Sequence, residues 1–145
     1  MRYSSGMRLL FSLALVAAVS RCASAPPVVE PVVPAEEAFA GVRRVTRDVP
    51  KMVARREPYV PQELQRVDTD VTIDVLVRRD GSVVGSRYVS GDRRFFDAVA
   101  TATQQWRFEP LAEGGEAVAF VLPVRFTLTW PAPARADIRI RYVTD

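Results

Sequence analysis

The clearest pattern along the chain is an alternation of apolar and polar residues over residues 71–77. Every second side chain there is apolar, which is the period of a strand with one buried face. Asp80-Gly81 follows, and glycine tolerates the positive φ angle that a tight hairpin turn requires. Residues 83–90 are predicted as the returning strand, with Gly85 at a bulge or at a close approach of another segment. The alternating apolar positions are Val71, Ile73, Val75 and Val77.

A helix and a long strand are predicted after this hairpin. Asp92 can cap a helix over residues 93–104, in which apolar residues recur about once per turn. Gly114-Gly115 marks a turn, and residues 116–129 alternate as a strand. We therefore expect an α+β domain with a small antiparallel sheet of three to four strands, packed against one main helix in the order β-β-α-β. The helix face carries Phe95, Val99, Ala102 or Thr103, and Trp106; the strand's inner face carries Val118, Phe120, Leu122, Val124, Phe126 and Leu128.

Proline content separates this domain from the segment before it. Prolines at 26, 27, 31 and 34 favour an extended polyproline II spacer over a helix or a ladder strand. We assign residues 23–49 to a proline-rich linker, residues 50–130 to the domain, and residues 131–145 to a tail with an extra edge strand. The first elements of the domain are predicted at residues 51–54, a short strand, and residues 61–64, the start of a helix with proline in its first turn.

The amino terminus has the pattern of an export signal. Two arginines precede the apolar run Leu9–Val19, and small residues follow it. This run is short of the roughly 20 apolar residues that a membrane-spanning helix needs. Residues 1–22 are therefore predicted as a signal peptide or a short N-terminal membrane signal. Cys22 is a candidate lipid attachment site, although Arg21 departs from the small residue normally found before such a cysteine, and cleavage after Ser20 is the alternative.

Composition excludes several classes of function. The chain has no histidine and one cysteine, which removes most metal sites, every Ser-His-Asp triad and any intrachain disulfide. The formal net charge is only +3, and the arginines are spread along the chain rather than gathered as a nucleic-acid-binding patch. The scattered carboxylates show no pairing of the kind that acid-base catalysis needs. We expect a protein that is not an enzyme, has no cofactor or metal and does not bind nucleic acid.

Several motifs, taken in order, resemble a known family. Asp80-Gly81-Ser82-Val83 follows the first strand, and Trp106-Arg107-Phe108-Glu109-Pro110 follows the helix. Gly115-Glu116-Ala117-Val118 and Pro123-Val124-Arg125-Phe126 come next. This order resembles the TonB C-terminal domain over roughly residues 58–128. The chain departs from the family at Val60, which separates Tyr59 from Pro61, and at Thr69-Asp70, where relatives carry a glycine before the first hairpin strand.

The resemblance implies a periplasmic protein-binding domain. Relatives engage outer-membrane TonB-dependent receptors, so the expected partner is such a receptor or another envelope protein. Two roles stay open: an energy transducer in transmembrane transport, or a cleaved or lipid-tethered adaptor without energy transduction. The absence of histidine, the short apolar run and the modest linker weaken the transducer interpretation. The expected location is the periplasm, either soluble or tethered to a membrane.

Pro123 indicates where a partner would bind. Proline has no N–H to give to a ladder, so a strand that contains it usually lies at a sheet edge, and an exposed edge can accept an extended peptide as a new strand. The predicted partner-binding edge is Val118, Phe120, Leu122, Val124 and Phe126. The alternative is that the chain itself covers this edge: residues 137–143 alternate apolar and charged side chains and could pair there, in competition with a partner or permanently. A homodimer formed by strand exchange is a further arrangement that this tail permits.

Overall fold

The computed structural model describes residues 30–132 and 135–144. The main sheet has five strands, and one α-helix packs on one of its faces. The strands of this sheet and the helix are β1 (Arg43–Arg44), β3 (Thr69–Val77), β4 (Val83–Gly91), α1 (Arg93–Thr103), β8 (Phe120–Ala132) and β9 (Arg135–Tyr142). Three long strands run antiparallel in the spatial order β8-β3-β4, while β1 and β9 both lie along the outer side of β8.

The predicted hairpin is confirmed as β3 and β4. Its turn is closed by Asp80, whose carboxylate accepts a hydrogen bond from the Ser82 N–H at 2.9 Å. Gly81 has a φ angle of +85°, and a Cβ there would lie 1.8 Å from the Phe108 carbonyl oxygen. The register of the pair shifts between Leu76 and Val77, so that β4 carries an extra residue beside Gly85, as expected of a bulge.

The predicted helix is also confirmed, with its end at Thr103. The Asp92 carboxylate caps it by accepting a hydrogen bond from the Arg94 N–H at 3.0 Å. The same side chain accepts a hydrogen bond from the Thr69 hydroxyl at 2.9 Å, which ties the start of the helix to the start of β3. The helix buries its apolar face against β3 and β4. Its buried residues are Phe95, Phe96, Val99, Ala100, Ala102 and Thr103.

Aromatic side chains fill the core between helix and sheet. Trp106 is fully buried, with ring centroids 5.7 Å from Phe126 and 6.2 Å from Phe108. Phe120 continues this row, 6.0 Å from Phe108. Edge-to-face and tilted contacts of this kind add to the burial of large apolar surfaces. The predicted core role of Trp106 and Phe108 is therefore confirmed.

Residues before the expected domain boundary also pack on the sheet. Phe39 and Val45 are 7% and 4% exposed, and Phe39 joins Leu76 and Val121 in a second apolar cluster on the face opposite α1. Residues 71–77 of β3 are consequently buried on both faces. The linker prediction for residues 23–49 is therefore wrong from about residue 36 onward, because a 3₁₀ turn at Glu36–Phe39 and strand β1 belong to the folded unit. Residues 23–29 lie outside the described part.

The other short elements refine the predictions. Strand β2 (Met52–Ala54) forms as expected and pairs with β5 (Arg107–Phe108). Residues Gln62–Leu64 form a single 3₁₀ turn rather than the start of an α-helix. The strand expected over residues 116–129 is divided, because β7 (Glu116–Val118) turns back onto β6 (Leu111–Glu113) and β8 begins at Phe120.

The fold class is confirmed as α+β, but the strand count was too low. Two of the five strands of the main sheet, β1 and β9, are supplied by segments outside the recognised pattern, and β1 runs parallel to β8. In the described ranges, 30–132 and 135–144, no helix has both the length and the apolarity to cross a membrane. The predicted signal at residues 1–22, with Cys22, lies outside those ranges.

Candidate functional site

Strand β8, the predicted binding strand, has neighbours on both sides. Its inner side pairs with β3 over nine positions, from Thr69 opposite Leu128 to Val77 opposite Phe120. Its outer side pairs with β1 at Phe120 and Val121, and with β9 from Val124 onward. The prediction that this strand forms an open edge is therefore wrong. The alternative, in which the chain's own tail covers the edge, is confirmed by β9.

Pro123 lies at the junction of the two segments that cover β8. The Val45 N–H donates to the Val121 carbonyl at 2.8 Å, and the Val143 N–H donates to the Pro123 carbonyl at 3.0 Å. In an antiparallel hydrogen-bonded pair the N–H and C=O of one residue point to the same side, so the absent N–H of Pro123 also faces outward. The proline thus indicated the outer side of β8 correctly. It could not show that distant parts of the chain occupy that side.

The side chains named for the binding edge point into the core. Phe120, Leu122, Val124 and Phe126 have no exposed surface, and each packs in the cluster beneath α1. Val118 belongs to β7 and is half-buried. A partner cannot contact the four buried side chains without unfolding the domain, so they support the sheet rather than recognise a ligand.

The outer side of β9 is a long sheet edge without a strand partner in the described ranges. Because Val143 bonds to Pro123, the hydrogen-bonded pairs of β8 and β9 fall on odd-numbered residues of β9. The N–H and C=O groups of Ile138, Ile140 and Tyr142 therefore point away from β8. Within residues 30–132 and 135–144, no strand pairs with that side.

The two faces of β9 have different chemistry. Ala136, Ile138, Ile140 and Tyr142 pack against the main core, and burial raises the pKa of the Tyr142 hydroxyl. Asp137, Arg139 and Arg141 alternate with them on the other face. Charged side chains along an edge discourage indiscriminate pairing between sheets. The edge therefore combines free main-chain groups with a defined pattern of side chains.

The opposite edge of the sheet, the outer side of β4, also has no strand partner within the described ranges, but a non-strand segment crosses it at Ser86. The Ser86 N–H of β4 donates to the Val32 carbonyl at 3.2 Å. A Cβ at the neighbouring Gly85 would lie 2.4 Å from the same oxygen, so this glycine permits the close approach. The prediction of a bulge or a close approach at Gly85 is confirmed in both forms.

A groove lies between α1 and the segment before the 3₁₀ turn at Gln62–Leu64. Its volume is about 460 Å³. The indole N–H of Trp106 donates to the Arg56 carbonyl at 2.8 Å and holds this segment in place. Tyr59 stands at the groove with 83% of its surface exposed. The groove was not predicted from the sequence. The one feature of the sequence that points to it is a large aromatic residue, Tyr59, beside Pro58 and close to Pro61. The lining residues are Arg56, Glu57, Tyr59, Pro61, Asp97, Ala98, Thr101, Ala102 and Gln105.

Residues 57–128, which contain the hairpin, α1, the Trp-Arg-Phe motif and most of β8, match the family described as Gram-negative bacterial TonB protein C-terminal. This segment is a TonB C-terminal domain. The resemblance over residues 58–128 is thereby confirmed. Comparison with curated proteins gave no match.

The family has general properties that bear on this domain. TonB C-terminal domains are protein-interaction domains of the Gram-negative envelope that bind TonB-dependent outer-membrane receptors, and they are not known as enzymes. In this chain β1 and β9, the two segments that cover β8, both lie outside residues 57–128.

The carboxylates of the TonB C-terminal domain stabilise its structure. A hydrogen bond from Arg94 lowers the pKa of Asp92 to about 2, so this carboxylate stays ionised. Asp74 is 2% exposed and accepts hydrogen bonds from Arg44 and Arg87. Within the described ranges no three metal-binding side chains converge on one point. This arrangement holds the helix and the sheet together and contains no paired acid and base.

Proposed function

We propose that this TonB C-terminal domain binds an extended segment of an outer-membrane receptor, or of another envelope protein, by adding it as a strand to the free edge of β9. The observation that supports this proposal is the one-sided pairing of β9, whose outward N–H and C=O groups have no strand partner among residues 30–132 and 135–144. In strand addition, an extended peptide forms its main-chain hydrogen bonds with unpaired N–H and C=O groups of this kind. The binding site is therefore one strand further out than the position predicted from Pro123.

Binding directly to β8 requires displacement of the tail. Strands β8 and β9 pair at seven positions, and Ile138 and Ile140 pack on the main core. With about 0.5 kcal/mol for each of roughly seven net hydrogen bonds and about 1 kcal/mol for each half-buried isoleucine, displacement costs on the order of 5 kcal/mol. That cost lowers the apparent affinity by roughly several thousandfold. Addition to β9 avoids this loss.

The side chains of β9 define the segment that fits best. Arg139 and Arg141 lie on one face of the new edge, so acidic residues at alternate positions of the partner would form cross-strand pairs with them. On the other face, beside Ile138 and Ile140, the partner needs apolar side chains. A segment that alternates acidic and apolar residues meets both requirements.

Strand addition is tested with a substitution that removes one outward donor. Ile140→Pro eliminates the outward N–H of residue 140 and leaves the hydrogen-bonding residues Arg139 and Arg141 of β9 unchanged. Ile140→Val is the matched control, because it keeps the N–H. Isothermal titration with receptor peptides, chosen by pull-down from envelope extract, should show at least about tenfold weaker binding for the proline variant and unchanged binding for valine. Equal binding by all three proteins would refute addition at β9.

Deleting residues 136–145 separates the two binding modes. Addition to β9 predicts that this deletion abolishes peptide binding. Displacement of the tail predicts the opposite, because the deletion removes a competitor for the outer side of β8. Far-ultraviolet circular dichroism and urea denaturation check that the shortened protein still folds. Tighter binding by the folded, shortened protein would move the site back to β8.

The larger role depends on how the domain is attached. A retained apolar run at Leu9–Val19 would hold the domain at the inner membrane and support energy transduction, whereas cleavage after Ser20 or lipidation at Cys22 would support an adaptor. We favour the adaptor, because the chain has no histidine and its apolar run is short. Mass spectrometry of the mature protein identifies its first residue. Retention of the run would refute the adaptor interpretation.

A further inference from the structure

Residues 30–44, which we call the strap, cross the face of the sheet opposite α1. The strap begins at the outer edge of β4, where Val32 accepts the hydrogen bond of Ser86. Its 3₁₀ turn places Phe39 over β3 and β8, in contact with Leu76 and Val121. It ends as β1, beside Phe120 and Val121 at the outer side of β8. The strap therefore spans the three long strands from one edge to the other.

Ion pairs hold the strap to the sheet. Arg44 donates to both oxygens of the Asp74 carboxylate, each at 2.9 Å. Glu36 accepts from Arg87 at 2.6 Å, and Arg87 also donates to Asp74 and lies 4.2 Å from the centre of the Phe39 ring. Asp74 thus joins a strap arginine and a sheet arginine through one buried carboxylate.

The strap is attached more weakly than any long strand. It shares two register positions with β8, whereas β3 and β8 share nine. Its apolar cluster contains three buried residues and is separate from the main core. Val45, which follows directly, is 4% exposed and does belong to the main core, so it anchors the end of the strap. Local opening should therefore stop at Val45 and leave α1 and the long strands folded.

We propose that the strap is a releasable segment that detaches as a unit while the TonB C-terminal domain stays folded. Because its 15 residues extend by up to about 3.4 Å each, release lengthens the chain before the domain by as much as about 50 Å. Release also uncovers the apolar surface of Leu76 and Val121 and the outer side of β8 at Phe120. The added reach is useful where the domain is tethered to one membrane and binds a partner in another, and this use rests on the proposed function.

Hydrogen exchange of the mature chain, without any partner, tests release directly. Four amides report on the strap: those of Ala38, Ala40 and Val42, which bond within it, and that of Ser86, which bonds to Val32. We expect them to exchange through local opening at least about a hundredfold faster than the paired amides of β3, with little dependence on low urea concentrations. Exchange of both sets at the rate of global unfolding would overturn the proposal.

Two substitutions sharpen the test. Arg44→Met removes the ion pair to Asp74 and should speed exchange at the strap amides by about tenfold, with no comparable change at β3. The matched control is Arg47→Met, because Arg47 is exposed and forms no ion pair within the described ranges. Gly85→Ala places a Cβ 2.4 Å from the Val32 oxygen and should remove the protection of Ser86 selectively. Equal effects of Arg44→Met on strap and core amides would show that the strap is an inseparable part of the domain.

Since this measurement contains no receptor, its outcome is independent of peptide binding. A strap that opens locally in a protein that binds no receptor peptide would leave the inference standing and refute only the proposed function. If the strap never opens alone in a protein that does bind receptor peptides, this inference is refuted and the proposed function stands.

Discussion

The buried carboxylate of Asp74 offers a sharp test of how this sheet is held together. Its side chain is 2% exposed and accepts contacts from Arg44 at 2.9 Å and from Arg87 at 2.9 and 3.2 Å. Asp74→Asn preserves the size of the side chain but replaces one acceptor oxygen with an N–H₂ group. That group then faces guanidinium donors, so at least one arginine loses its partner.

The expected loss of stability follows from these contacts. A hydrogen bond between charged groups contributes about 1.5–3 kcal/mol, roughly twice the contribution of a neutral pair. The side chains of Arg44 and Arg87 are 46% and 28% exposed, so water can replace part of the hydrogen bonding that they lose. We expect Asp74→Asn to lower the free energy of unfolding by about 2–3 kcal/mol. Arg44→Met should cost less, because Arg87 still neutralises the carboxylate.

Urea denaturation followed by circular dichroism measures these differences. Arg55→Met is the matched control, because the Arg55–Glu57 pair is exposed on both sides and should contribute less than about 0.5 kcal/mol. A loss below about 0.5 kcal/mol for Asp74→Asn would contradict the reasoning, since the buried cluster would then behave like an exposed pair. A larger loss for Arg44→Met than for Asp74→Asn would also contradict it.

Three further predictions concern the helix, the core and the turns. Trp106→Phe loses the hydrogen bond to the Arg56 carbonyl and should lower the free energy of unfolding, measured by urea denaturation, by about 2 kcal/mol. Amides of the segment around Arg56 should also exchange faster, and unchanged exchange there would contradict this prediction. Because the pKa of Asp92 falls to about 2 in the folded state, its contribution of about 2 kcal/mol is complete above about pH 5 and is lost progressively as the pH falls through the folded-state pKa. Asp92→Asn should remove that part of the acid dependence of unfolding, and an unaltered pH profile would refute it. Gly81→Ala should lower the free energy of unfolding by more than about 2 kcal/mol, because the new Cβ would clash with the Phe108 carbonyl. Gly114 also has a positive φ angle but no atom near its Cβ position, so Gly114→Ala should cost about 1 kcal/mol. Equal losses for the two variants would refute the steric argument.

The parts of the fold that could be predicted are those specified by neighbouring residues. The alternation from Val71 to Val77, the Asp80-Gly81 turn and the Asp92 cap each depend on a few adjacent positions, and all three are present. Their physical causes, side-chain period, positive φ and capping of free N–H groups, act over short distances. Local pattern was therefore sufficient for the hairpin and the helix.

The neighbours of β8 could not be predicted in the same way. Pro123 specifies which side of the strand lacks a donor, but the occupants of that side come from residues 43–44 and 135–142. Pairing between such distant segments depends on the whole chain. A signal was present in the sequence: Leu76 and Val121 are apolar on the face that the alternation assigns to solvent, which is typical of strands buried on both faces. That pattern, together with Phe39 in the supposed linker, would have predicted a covering segment.

The placement of β1 and β9 outside residues 57–128 has a practical consequence. A fragment cut at the family boundaries would lose Phe39, Val45, Ile138 and Ile140, and would present an apolar sheet face together with a long bare strand border to water. Such surfaces promote self-association and precipitation. Recombinant protein intended for binding or solution studies should therefore extend from about residue 30 to residue 144, and a fragment of residues 57–128 should be recovered mainly as insoluble material.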